Sequence, residues 1–310
     1  MHVTSRSWLL LVLTVVIAFS VAVVASVAAF PGEPPLKPLP TYDRDGVPFP
    51  ANVEPPFDVV AFRPYQFLMR IHVNREELNE ILIPAGWVAP VGVPDDPAII
   101  TVSWGFRQHM QAPNTPGLDS QTFGPASNVS FITSAINLSD DSRHTLLLAN
   151  FRSSAVAVDF FNKVLGDGIH KANLQAKISM ELGNEADFGE DKLKFKGSVY
   201  EPTSGLEVEA SATFPDGDEA MRVIRDSPTS RPFNSVDVST EPITVLNPFI
   251  VASQYDTTRF ASGTPGFQVE VSFPNDELRL PGGRTLSVEG VLPFLEFRDN
   301  REILVVLVDD

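Results

Sequence analysis

Leu174-Gln-Ala-Lys-Ile-Ser-Met-Glu-Leu182, Lys192-Leu-Lys-Phe-Lys-Gly-Ser-Val199 and Leu206-Glu-Val-Glu-Ala-Ser-Ala-Thr-Phe214 alternate, residue by residue, between positions suited to a core and positions suited to water. A side-chain period of two is that of a strand with one buried face, and three such runs in succession form an antiparallel meander. The Pro202-Thr-Ser-Gly205 turn between the second and third runs sets an expected register. It pairs Val199 with Leu206, Gly197 with Val208 and Phe195 with Ala210, and puts Lys196 opposite Glu209. Lys192, Lys194 and Lys196 then form a solvated face rather than a binding patch.

Working outward, the same period continues. Ile100, Val102, Trp104 and Phe106 share one face of a strand, and further strands are expected at Leu246 to Tyr255, Phe267 to Phe273, Thr285 to Phe297 and Glu302 to Val308. Helices are few and short. Asn74 can cap the first, with Glu77 three positions on and Leu78, Ile81 and Leu82 forming an apolar stripe that ends before Pro84. Ser153 or Ser154 opens the second, in which Val156, Phe160 and Val164 line one side until Gly166 stops it. A third is expected from Asp216 to about Arg225. The chain has no internal repeat and no alternating strand-helix-strand pattern, so a β-rich α+β domain is expected, and doubly wound and TIM-type sheets are excluded.

The first 29 residues read as a secretory signal or an N-terminal membrane anchor. Arg6 lies in a short polar start, an apolar run extends from Trp8 to Val24, and Ala28 and Ala29 offer a small-residue cleavage site before Phe30-Pro31. Trp8 to Phe30 is also long enough to span a bilayer if it is retained. Residues 30–57 form a stalk, with nine prolines from Pro31 to Pro56, and residues 58–310 form a single domain. A secreted or otherwise extracytoplasmic chain without cysteine has no disulfide framework and depends on an ordinary core. The formal charge of −16 argues against nucleic acid or anionic lipid as a partner, so membrane contact is expected only through an uncleaved N-terminus. Asn128-Val-Ser130 and Asn137-Leu-Ser139 match the glycosylation sequon. Exposed sheet edges leave room for a homo-oligomer.

Most catalytic constellations are missing. The chain has no G-x-S-x-G elbow, no Walker A loop and no G-x-G-x-x-G. His72, His109, His144 and His170 are scattered singly, so no metal site is expected. The segment that carries chemistry is the short helix from Ala155 followed by Gly166-Asp-Gly-Ile-His-Lys171, which delivers one lysine to the edge of the meander. A lysine stripped of water there shifts toward its neutral, nucleophilic form, the starting point of Schiff-base chemistry.

Two segments resemble the acetoacetate decarboxylase family. Arg63-Pro-Tyr65 through Pro84 is similar to the family's N-terminal strand and helix. Ala155-Val-Ala-Val158 followed by Gly168-Ile-His-Lys171 is similar to its alanine-rich helix and Gly-aromatic-Pro-Lys-Lys signature. The strands after Lys171 fit in order and length, so the resemblance spans about Phe62 to Phe214. It implies antiparallel sheets forming a closed or cone-like barrel, and a lyase acting on a small β-keto acid or related carbonyl compound without a cofactor. It assigns Lys171 as the Schiff-base lysine and Arg63 as the arginine near the substrate carboxylate; His170, next to Lys171 in the sequence, is read from its own chemistry as a proton shuttle. The pattern departs from the family where Ala172 replaces the second lysine, His170 the proline, and Phe160 and Phe161 the Arg-Glu pair. No glutamate occurs at Pro125 to Ser127. The alternative reading is a non-catalytic small-molecule-binding module on the same scaffold, its apolar ligand lined by Phe160, Phe161, Trp104 and Phe106.

Overall fold

The computed structural model describes residues 58–62, 65–90, 96–107, 109–111, 122–123, 126–164, 173–184, 192–215, 222–225 and 229–307. In chain order the strands are β1 (Asp58–Phe62), β2 (Tyr65–Val73), β3 (Trp87–Val88), β4 (Ala98–Arg107), β5 (His109–Gln111), β6 (Thr122–Phe123), β7 (Ala126–Asn137), β8 (Arg143–Arg152) and β9 (Asn173–Gln175). They continue with β10 (Lys177–Asn184), β11 (Lys192–Glu201), β12 (Leu206–Pro215), β13 (Arg222–Arg225), β14 (Thr229–Asp237), β15 (Thr244–Ala261), β16 (Gln268–Ser272), β17 (Glu277–Leu280) and β18 (Arg284–Leu307). The helices are α1 (Arg75–Leu82) and α2 (Ala155–Val164). All lie in one unit, Leu39–Asp310.

The large sheet runs β13-β15-β14-β8-β7-β4-β2-β18-β1-β5-β6, and β15 also pairs with β18, so the sheet curls until β15 meets neighbours on both edges. The order β10-β11-β12-β16 forms a separate four-stranded sheet, the expected meander plus one strand. This is the β-rich α+β architecture that the alternation implies.

The two sheets meet over an apolar interface built by period-two alternation. Cross-strand partners share a face, so Phe297, Phe67, Trp104, Val129 and Phe151 form one row across the large sheet, and Leu295, Met69, Val102, Phe131 and Ala149 the next. All ten are buried or half-buried. From the facing sheet, Phe195 stacks on Phe67 with ring centroids 4.3 Å apart, and Phe214 lies 5.1 Å from Phe260. A Cβ on Gly197 would come within 2.8 Å of the Trp104 ring, so glycine is what allows the sheets to approach here. Each fully buried aromatic or aliphatic side chain at this interface contributes about 1.5–3 kcal/mol.

Helix α1 forms as its sequence predicts. The Asn74 side chain accepts a hydrogen bond from the Glu77 amide at 3.1 Å, and Leu78, Ile81 and Leu82 are buried. Glu77 in turn accepts from the Ser287 amide at 2.6 Å, tying the helix to β18.

Several expectations are corrected. Val199 pairs with Val208 and Phe195 with Ala212, so the β11–β12 register is two residues from the expected one, and Lys196 faces Ser211 rather than Glu209. The cause is Glu201, whose carboxylate accepts from the Thr203 amide at 2.8 Å and the Ser204 amide at 2.7 Å. Those bonds organise Pro202–Gly205 as the turn and carry the ladder out to Glu201 and Leu206. A shift of two keeps every side chain on its face. Lys196 finds its opposite charge on the other neighbour, Glu181. The helix expected from Asp216 to Arg225 is not formed over Arg222–Arg225, which is β13, paired with Arg222 opposite Arg259. The alternation of a four-residue edge strand is too short to distinguish from a helical stripe. The two C-terminal strands are one continuous β18. Asn128 of the first sequon is buried within β7, where no glycan fits on the folded chain.

Candidate functional site

The face of the large sheet opposite the aromatic rows is polar and largely buried. One row runs Arg259, Glu296, Leu68, Ser103, Ser130, Asn150, and the next Arg298, Gln66, Gly105, Asn128, Arg152, Gln175. Ser103, Asn128, Ser130, Asn150, Arg152 and Glu296 are each buried, which is unusual for such residues unless they are hydrogen-bonded. Asn128 Nδ2 donates to Ser130 Oγ at 3.0 Å, and Ser130 Oγ donates to Asn150 Oδ1 at 3.0 Å, a continuous relay across β7 and β8. Gly105 makes room for it, since a Cβ there would lie 2.6 Å from Asn128 Oδ1.

At the other end of the polar face, Arg259 Nε donates to Glu296 Oε2 at 2.8 Å, and Arg298 donates to Glu296 Oε1. Burial pushes the Glu296 carboxyl upward. The charge of Arg298 and the hydrogen bonds from Arg259 and Arg298 outweigh that and hold it below the usual carboxylate range. Arg70 of β2 lies over the Phe294 ring, its Cζ 4.1 Å from the centroid. Burial lowers the Arg70 guanidinium below its ordinary value, Glu296 opposes the shift, and Arg259 and Arg298 add to it.

Of the residues predicted to form the site, Trp104 and Phe106 are placed. Trp104 is fully buried in the apolar row, 5.9 Å from Phe195 in edge contact, and its indole Nε1 has no hydrogen-bond partner among the described residues. Phe106, half-buried, follows two residues on. By alternation both lie on the face away from the polar rows. Phe160 and Phe161 belong to α2, but their side chains, and Arg63, His170 and Lys171 altogether, lie outside the described residues. Sequence reading overlooked the polar face itself. It is visible as polar residues at every second position of otherwise apolar runs, in Leu148-Ala-Asn-Phe-Arg152 and Leu295-Glu-Phe-Arg298.

A separate groove of about 440 Å³ lies on the second sheet and is lined by exposed residues such as Ser179, Glu181, Lys196, Glu209 and Glu270. Among the described residues no three His, Asp or Glu side chains converge as metal ligands, and no helix is long and apolar enough to cross a membrane.

No protein-family model and no curated protein matches the sequence. Among solved structures, the chain is similar to the HEPES-bound enduracididine biosynthesis enzyme MppR, with 15% identity over 90% of this chain and 98% of that one and a TM-score of 0.49. It is similar to the acetoacetate decarboxylase of Legionella pneumophila subsp. pneumophila str. Philadelphia 1 (12% identity, 91% and 94% coverage, TM-score 0.44). It is also similar to an acetoacetate decarboxylase-like enzyme from Sphingomonas wittichii RW1 (8% identity, 83% and 95% coverage, TM-score 0.45). These likenesses concern the course of the chain and assign no residue roles.

Proposed function

We propose that the chain is an acetoacetate-decarboxylase-like lyase that acts on a small β-keto acid or related carbonyl compound through Lys171. What supports this reading is the buried polar face: its rows reach β8, whose Asn150 pairs with Asn173 of β9, two positions after Lys171 in the sequence. A buried relay of amides and hydroxyls is a setting in which a carbonyl substrate can be oriented and water kept out.

In the proposed reaction the neutral Lys171 amine adds to the ketone, and the carbinolamine loses water to give an iminium. The bond to the carboxylate then breaks, carbon dioxide leaves, and its electron pair passes into the iminium to form an enamine. Protonation at carbon and hydrolysis release the ketone and the amine. By the family resemblance Arg63 holds the carboxylate, and His170, next to Lys171 in the sequence, moves protons. We also propose that the chain is exported, on the strength of its N-terminal apolar segment.

Incubation with acetoacetate followed by borohydride tests the chemistry. The expected result is a reduced adduct located at Lys171 by mass spectrometry and absent from Lys171→Ala. A chain that binds the keto acid yet is never trapped would leave only a binding module.

A further inference from the structure

Arg70 is a half-buried cation that makes no side-chain hydrogen bond among the described residues. Its Cζ lies over the Phe294 ring, 4.1 Å from the centroid, and among the described residues no acceptor takes a hydrogen bond from its guanidinium N–H groups. Both oxygens of the nearby carboxylate, Glu296, already accept from Arg259 and Arg298. Arg70 is half-buried on β2, two positions after Leu68, the residue paired with Glu296, and so shares the polar face with that pair. A guanidinium held rigid on a ring, partly out of water and flanked by two more arginines, suits a planar monoanion that accepts two parallel hydrogen bonds.

We infer that Arg70 is the anchor of a subsite for the carboxylate group of a small monocarboxylate ligand. This rests on, and sharpens, the proposed lyase reading, because it gives the chain a carboxylate anchor distinct from Arg63. The subsite itself needs no covalent step.

The test uses the full chain and two probes of equal shape, butyrate and butyramide, followed by ligand-observed NMR. Butyrate is expected to bind, butyramide to bind far more weakly, and Arg70→Gln to weaken butyrate by about tenfold or more while leaving butyramide unchanged. Arg70→Lys, which keeps the charge, is expected to retain part of the binding. On the unmodified chain, butyrate should shift the Arg70 Nε–H resonance, a readout that does not depend on any variant folding. No butyrate binding, equal binding of the amide, an unshifted Arg70 resonance or full affinity in folded Arg70→Gln would each overturn the subsite. Lys171→Ala separates the two proposals. It should abolish the borohydride adduct yet leave butyrate affinity intact, so an untrappable chain that still binds butyrate through Arg70 sinks the lyase and not the subsite.

Discussion

Gly197 and Trp104 show how narrowly single residues set the distance between the two sheets. Any side chain at 197 meets the Trp104 ring at 2.8 Å and the Phe195 ring at 2.9 Å, both buried and packed on several sides. Gly197→Ala should therefore destabilise the chain by about 1–3 kcal/mol, as overpacking does, measured by urea unfolding. Trp104→Phe removes the ring atoms in the way, together with an indole N–H that has no acceptor among the described residues. The double variant should recover much of the loss, and strictly additive effects would show that the two positions do not press on each other. Glu296 gives a second prediction. Its folded carboxyl titrates below its unfolded value, so its contribution is complete above about pH 4.3 and is lost as pH falls through the folded value. The stability gap between the wild type and Glu296→Gln should be level from pH 8 to about pH 5 and close at lower pH. The gap on the plateau should be about 1–2 kcal/mol, discounted because Arg259 is 40% exposed. A gap that widens on acidification would contradict this.

Elements show where sequence alone was informative. Helix α1 was legible because its cap, first-turn acids and apolar stripe are all local, and Asn74→Ala should cost about 1 kcal/mol. Because Glu77 bonds both its helix and Ser287, that variant should also speed amide exchange at Ser287, whereas a purely local cap would leave the amide unaffected. The β10–β12 meander was legible because its alternation is long and its connections short. Its register was misread at one turn, where Glu201 looks like any surface acid until its carboxylate is seen to accept the two turn amides. Strand β13 was mistaken for a helix because Arg222–Arg225 owes its conformation to Arg259 and its neighbours in β15, more than thirty positions away. The polar rows stayed hidden for a related reason: Asn128, Asn150 and Glu296 are unremarkable singly and become a surface only when register aligns them.

For the whole molecule the decisive pairing is the most distant one. β15 joins β18 from Phe249 opposite Leu307 to Ala261 opposite Phe294, and β18 joins β1 from Asp58 opposite Val306 to Phe62 opposite Glu302. Both contacts depend on β18, the last of the described strands, so the curled sheet cannot close before residues as far as Leu307 are available. Deleting residues 300–310 strips β1 of all its β18 partners and β15 of those from Phe249 to Tyr255, leaving a long row of unpaired backbone amides and carbonyls at mid-sheet. That chain should aggregate or melt without a cooperative transition in near-ultraviolet circular dichroism. Deleting residues 1–57, which precede every described strand, should leave the transition in place. If the C-terminal deletion instead melted cooperatively at the temperature of the full chain, closure through β18 would not be what holds the sheet together, and the polar face would have to owe its burial to some other element.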